Sequence, residues 1–187
     1  MSELKTHLPT VDVRTLKVMP ALCLDLDGTV RYSKSGEFIN TPADIALFDG
    51  VEAKLWDYRD YNFLICGVSN QGGVAFGIKP PQQDAAELET MFSLFEKNPF
   101  HIVKTCWHHE KGKVFPFNRR SLLRKPDIGM LVLCEFEAYN AGIVIDWGNS
   151  LFVGDRPEDE ECARRAGIDF QWAWDFFGRE KPTPTEK

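Results

Sequence analysis

The chain has 187 residues, of which 43% are hydrophobic, 12% aromatic and 27% charged. That length and apolar share suit one globular domain around one core, and they exclude disordered, collagenous and low-complexity polymers. A formal charge of −6 argues against a chain that grips nucleic acid or a membrane over its whole surface, while leaving room for a local basic patch.

No apolar run reaches the length of a membrane span and the first residues lack the apolar stretch of a signal peptide, so the expected address is cytoplasmic, with no membrane partner. The five cysteines (Cys23, Cys66, Cys106, Cys134 and Cys162) are scattered, with no CxxC pair. They read as buried small hydrophobes rather than a disulfide framework. No oligomeric state follows from the residues.

Residues 1–20 predict an N-terminal arm, 21–177 a single domain and 178–187 a loose tail. Ala21–Leu26 is an apolar run, broken only by Asp25 near its end, that predicts a buried strand. Val51, Leu55 and Tyr58 then fall on one helical stripe, and Phe63–Val68 predicts the next strand. After Pro80-Pro81 a helix carries Leu88, Met91, Phe92 and Phe95, with Asp84 and Glu87 at capping-box spacing at its start. His101–Cys106 is a weaker strand, and Ile128, Val132, Phe136 and Tyr139 predict the buried stripe of a third helix. Ser150–Val153 is a strand. The following helix has clear ends: Pro157 opens it, Glu158–Glu161 oppose the positive end of its dipole, Arg164 and Arg165 suit the negative end, and Gly167 stops it. Ile168–Trp172 is a last weak strand.

This alternation predicts an α/β fold, a Rossmann-like doubly wound parallel sheet of about five strands whose ligands collect at the strands' carboxyl ends. The polar residues after each strand are therefore the candidates for chemistry. Asp25 and Asp27 follow the first strand two residues apart, so both carboxylates can share a face, and Gly28 permits a sharp turn before Thr29. Adjacent carboxylates repel; they need a cation, or a division of labour between one ionised and one protonated group. Ser69, Asn70 and Gln71 follow the second strand on a glycine turn, Arg124 and Lys125 precede a helix, and Gly154-Asp155 with Asp159 follow Ser150–Val153. Taken singly, each is compatible with an ordinary turn or cap.

Taken together and in order, these segments resemble the four motifs of the haloacid dehalogenase (HAD) superfamily, over about residues 21–167. The carboxylic acid at Asp27 resembles the phosphatase branch. The stretch Ser69-Asn70-Gln71-Gly72-Gly73, with Arg124-Lys125-Pro126, is similar to the capless group containing histidinol phosphatase, heptose bisphosphate phosphatase and the polynucleotide 3′-phosphatase domain. The resemblance implies a magnesium-dependent phosphomonoester hydrolase with no large cap domain. It implies Asp25 as nucleophile through an aspartyl-phosphate, Asp27 as acid and base, and Ser69 and Lys125 as holders of the phosphate. Asp25, Asp27 (through its carbonyl) and Asp155 would hold magnesium, with Asp159 either in the metal's outer shell or orienting Lys125. Thr29, Asn70, Gln71, His108 and Arg124 would line the substrate.

Two classes of substrate fit: a phosphorylated sugar or related metabolite, or a nucleic-acid 3′-phosphate end. Between His101 and Lys125, seven basic residues face one acid, Glu110, a net of plus six that suits a second phosphate or a nucleic-acid end. Ser35-Gly36-Glu37-Phe38 resembles the flap of the polynucleotide enzyme, and Phe170–Phe177 its aromatic ending. Cys106 and His108 resemble half of the zinc loop found in the histidinol and heptose phosphatases; Ser121 and Leu123 stand where the other two ligands would be, so zinc is not expected. A non-catalytic phosphate-binding or regulatory module on the same fold is the alternative reading.

Overall fold

The structure, a computed structural model, describes residues 15–39 and 41–181. Five parallel strands make the central sheet: β2 (Ala21–Leu24), β5 (Leu64–Asn70), β6 (Ile102–Cys106), β8 (Leu151–Gly154) and β9 (Asp169–Trp172), in the order β6-β5-β2-β8-β9. From β2 the chain winds first to β5 and β6 on one side, then to β8 and β9 on the other. The switch point, and with it the ligand crevice, lies at the carboxyl end of β2.

β2 is fully buried along its length, and alternate residues serve opposite faces. Ala21 and Cys23 join the core under α4 (Gly129–Asn140) and α5 (Pro157–Ala166), while Leu22 and Leu24 join the core under α1 (Val51–Asp60), α3 (Pro81–Ser93) and α6 (Ala173–Phe177). Burial on both sides explains why the strand reads as an unbroken apolar run. A short helix, α2 (Gly73–Phe76), follows β5. Between β2 and α1, β3 (Arg31–Ser33) and β4 (Ile45–Leu47) form an antiparallel hairpin, with Ser35–Phe38 in the connection between them. All five cysteines are buried.

Three expectations change. Residues assigned to the arm join the fold, since β1 (Lys17–Met19) pairs in parallel with β7 (Ile143–Ile145); residues 1–14 and 182–187 lie outside the described part. Asp84 and Glu87 do not cap α3, which starts at Pro81 without a side-chain cap; both are buried, at 1% and 0% exposure, as partners of a lysine. Of the predicted stripe, Ile128 just before α4 packs against the core, but Val132 and Phe136 on the helix are 50% and 58% exposed and Tyr139 is also exposed, and Met130, Leu131, Cys134 and Ala138 are buried instead. That helix is apolar on nearly every side, so periodicity alone does not select the face that meets the sheet. The ends of α5 fall as expected, with Gly167 left-handed after its last turn.

Candidate active site

Asp25 lies just past the last residue of β2, its N–H still bonded to Val153 O at 3.0 Å, so its carboxylate stands at the switch point. Gly28, at φ +89°, turns the chain back. A Cβ there would lie 2.2 Å from Asp155 Oδ2, so only glycine lets the carboxylate after β8 rest against the β2 turn. A Cβ at Gly154 would likewise lie 2.4 Å from Cβ of Asp159. These two bare positions bring Asp25, Asp155 and Asp159 together, one oxygen from each lying within 4.8 Å of the others.

Lys125 enters this cluster from the loop before α4. Its Nζ donates to Asp25 Oδ1 at 2.5 Å and to Val68 O at 2.8 Å, and lies 2.7 Å from Asp159 Oδ1. Burial opposes its charge, but the two carboxylates prevail and hold it above the ordinary lysine range. Asp159 uses its second oxygen, Oδ2, to accept Arg156 N–H at 3.1 Å and so fix the start of α5. Three carboxylates around one ammonium leave an excess of negative charge. Burial, with repulsion from Asp159 and Asp155, holds Asp25 well above the carboxylate range despite Lys125. Burial and Asp159 push Asp155 up to about 6 against Arg156 and Lys125. Asp155 Oδ1 is buried with no hydrogen-bond partner. Clustered hard oxygens, an orphaned carboxylate oxygen and surplus negative charge fit a divalent cation of the magnesium class.

Asp27 has different partners. Arg31 Nε donates to its Oδ1 at 2.7 Å and Gln71 Nε2 to its Oδ2 at 2.5 Å. Burial would raise this carboxyl, but the charge and hydrogen bond of Arg31, joined by Gln71, hold it below its usual value. Gln71 Nε2 also donates to Ser69 Oγ at 2.9 Å, which leaves the serine hydroxyl proton for another acceptor. Asn70 grips the Lys125 backbone in both directions, at 3.1 and 3.0 Å, and so positions the loop that carries the lysine. Asn70 and Gln71, expected to meet substrate, are therefore committed largely within the protein. Thr29 is fully buried, with Oγ1 unpartnered.

Arg124 lies over the β5 turn, its Nη1 3.3 Å from where a Gly72 Cβ would stand, and donates to the carbonyl of His108. The His108 ring packs edge-on against Phe117; it is His109 that borders Gly72, its Cδ2 3.7 Å from where a Cβ there would stand. Within the basic loop, Lys104 pairs with Glu137, Arg120 with Asp127, and Lys125 is internal, while Lys111, Lys113 and Arg119 are exposed. Leu123 packs against the core.

Sequence reasoning missed four residues around the site: Arg31, Lys79, Glu87 and Arg179. The Arg179 guanidinium lies 4.0 Å from the Phe48 ring centroid and 4.7 Å from that of Phe177, and donates to Thr29 O at 2.8 Å, so the expected loose tail begins with an anchored residue. A lone lysine between Ile78 and Pro80 was the one signal for Lys79; Glu87 stood out only as a helix cap, and nothing local marked the two arginines.

A doubly wound sheet with an aspartate pair after its central strand, a serine after the next, a buried lysine and two further aspartates past β8 defines a HAD-superfamily phosphatase. More particularly, this chain belongs to the polynucleotide kinase 3 phosphatase family, which matches it over residues 21–177. Among curated relatives, it is 31% identical over 152 residues to the D-glycero-β-D-manno-heptose-1,7-bisphosphate 7-phosphatase of Yersinia pestis, covering 80% of this chain and 77% of that protein. The corresponding enzyme of Escherichia coli K12 is 29% identical over 154 residues, covering 81% and 77%. Among solved structures, a HAD-like phosphatase from Mesorhizobium loti superposes with a TM-score of 0.68 at 29% identity, covering 80% of this chain and 69% of that one. The fold is shared with the D,D-heptose 1,7-bisphosphate phosphatase of B. bronchiseptica, solved with magnesium and phosphate, at a TM-score of 0.65, 22% identity and 81% and 79% coverage. The named relatives are phosphatases, which decides for the enzyme over the binding module. No helix among the described residues is long and apolar enough to cross a membrane.

Proposed function

We propose that this phosphatase hydrolyses a phosphate monoester of a sugar or related metabolite carrying a second anionic group, through an aspartyl-phosphate on Asp25. The observation that carries the reading is the Lys125 ammonium shared between Asp25 and Asp159 beside Asp155. Lys125 holds Asp25 Oδ1 and leaves Oδ2 to attack phosphorus. As that P–O bond forms, the ester P–O bond breaks and the departing oxygen takes a proton from Asp27. Water then attacks the aspartyl-phosphate at phosphorus, Asp27 takes its proton, and inorganic phosphate leaves with Asp25 regenerated. Arg31 favours the ionised Asp27 that this second step needs; for the first step the carboxyl must arrive protonated. Ser69 donates its free O–H to a phosphate oxygen, and Lys125 supplies positive charge beside it.

Asp25, the Asp27 carbonyl and Asp155 would hold magnesium, whose charge offsets the repulsion between an anionic nucleophile and an anionic ester. Both oxygens of Asp159 are engaged, on Lys125 and on Arg156 N, which supports a role in orienting the lysine.

The heptose bisphosphate relatives and the exposed cations of the basic loop support a substrate with a second phosphate. A nucleic-acid 3′-phosphate is the second reading, favoured by the family match and by Trp172 and Trp174, stacked 4.7 Å apart and 8° from parallel at the carboxyl end of β9. Turnover of heptose 1,7-bisphosphate and of a 3′-phosphorylated oligonucleotide, each with magnesium and across a salt series, separates the two. Faster, less salt-sensitive turnover of the sugar supports the first reading, and a steep salt slope with preference for the oligonucleotide supports the second. Activity surviving in Asp25→Asn would overturn the mechanism.

A further inference from the structure

Both oxygens of Asp27 trace back to one residue on α3. Glu87 receives Lys79 Nζ on its Oε2 in a short ion pair, and its main-chain carbonyl accepts Arg31 Nη1 at 3.3 Å. Arg31 in turn holds Asp27 Oδ1, while Lys79 Nζ donates to Gln71 Oε1 at 2.8 Å, and the far side of that amide donates to Asp27 Oδ2 and Ser69 Oγ. Lys79 is 4% exposed and Glu87 fully buried, and Asp84 on the same helix adds a second carboxylate 3.6 Å from the ammonium. Ions removed from water are costly, and an apolar trio of similar size would hold α3 at least as well. None of the three carboxylate or ammonium groups reaches the cluster around Asp25 among the contacts of the described residues. Asp84 also accepts Thr105 Oγ1 at 2.9 Å and Trp107 Nε1 at 2.6 Å, and the hydrogen bonds from Lys79 reach Asp27 through the Gln71 amide.

An amide has nearly the same shape in its two orientations, so something must decide which end faces Asp27. A buried ammonium can only donate. It therefore claims the Gln71 oxygen and turns the NH2 group toward Asp27 and Ser69.

We propose that Lys79, braced by Glu87 and Asp84, is a positioning residue for the acid–base step, acting through Gln71 to set the Asp27 carboxyl beneath the leaving-group oxygen. The inference rests on the Asp25/Asp27 reading given above. Loss of the relay leaves the nucleophile and the phosphate-holding lysine in place but lets the acid drift.

The test compares kcat/KM, which reports steps up to departure of the leaving group, for two esters: an alkyl phosphate, whose alkoxide needs a proton, and p-nitrophenyl phosphate, whose nitrophenolate leaves without one. The variants are Lys79→Met and the charge-balanced pair Lys79→Met/Glu87→Gln. In every variant that retains the wild-type circular dichroism, kcat/KM for the alkyl ester should fall by about 10- to 100-fold, part of the roughly 10²- to 10⁴-fold that acid–base assistance is worth, against about two-fold or less for the aryl ester. Lys79→Arg, which keeps a donor to Gln71, should recover most of the alkyl rate. Equal losses on the two esters, as a merely structural lysine would give, or an undiminished alkyl rate in the folded charge-balanced pair, would overturn the relay. Asp25→Asn serves as the separate control: if it stays active on both esters the covalent mechanism fails, whatever the relay variants do.

Discussion

Replacing Lys125 by methionine removes the single ammonium that neutralises Asp25 and Asp159. The side chains of all three are nearly inaccessible, at 2%, 8% and 1% exposure, so solvent offers little relief to the stranded carboxylates. Breaking a buried pair in this way costs about 3–5 kcal/mol. At about 2–4 °C per kcal/mol for a domain of this size, the thermal midpoint should fall by about 6–20 °C in magnesium-free buffer. The pH dependence has a definite sign. Because the folded lysine is raised above its ordinary value, its contribution is complete at neutral pH and fades only above the unfolded lysine value of about 10.4, as pH climbs through the folded one. The carboxylates behave oppositely: Asp155, at about 6, and Asp25, also raised, take up protons in the folded state more readily than in the unfolded chain, and losing the lysine raises them further. The deficit of the variant should therefore shrink as pH falls from 7 towards 5. Urea unfolding of both proteins at the two pH values measures it; a deficit under about 1 kcal/mol at pH 7, or one that grows on acidification, would refute the reasoning.

Gly28→Ala forces a side chain into left-handed backbone, at about 1–2 kcal/mol, and drives its Cβ into Asp155, so the midpoint should drop and the stabilisation by added magnesium should vanish; an unchanged magnesium response counts against the assignment of Asp155. Arg179→Ala removes the guanidinium between Phe48 and Phe177 and its bond to Thr29 O, which should cost about 1–3 kcal/mol by urea unfolding, whereas a loose tail would lose nothing. His101 is exposed on one side but accepts Ile65 N–H on Nδ1 at 2.9 Å, and partial desolvation of the ring, followed by the charges of Arg59 and Lys17, brings it down to about 4. Its contribution to stability is thus present above the unfolded histidine value of about 6.5 and lost as pH falls towards 4; the proton NMR midpoint of the ring should lie near 4, and one near 6.5 would contradict the bond.

The parts of the molecule legible in the sequence are those where local pattern and tertiary role coincide. β2 and β5 announce themselves because strands covered on both faces need no polar residue, and Asp25, Ser69 and Asp155 stand out because each is the first polar break after such a run. Asp159 could be placed but not given a task, since its contact with Lys125 depends on how closely α5 approaches Gly154. Asp84 and Glu87 misled through their spacing: the same i, i+3 pair that caps a helix also grips a cation from its side. α4 misled because an all-round apolar helix carries two equally good stripes. β1 escaped notice as three residues in a segment read as an arm, although Ile143-Val144-Ile145 offered a partner. Arg31 and Arg179 gave no sign because an arginine's reach, unlike its neighbours in the chain, is not written in the order of residues.

The buried cysteines have a practical consequence. With every native thiol walled off from solvent and, for Cys162, burial pushing the group up to about 12, a maleimide at neutral pH meets almost no thiolate on the native protein. A single cysteine substituted for the exposed Ser35 in the β3–β4 connection would then be the one addressable handle, and a fluorophore attached there would mark one position without replacing any native cysteine.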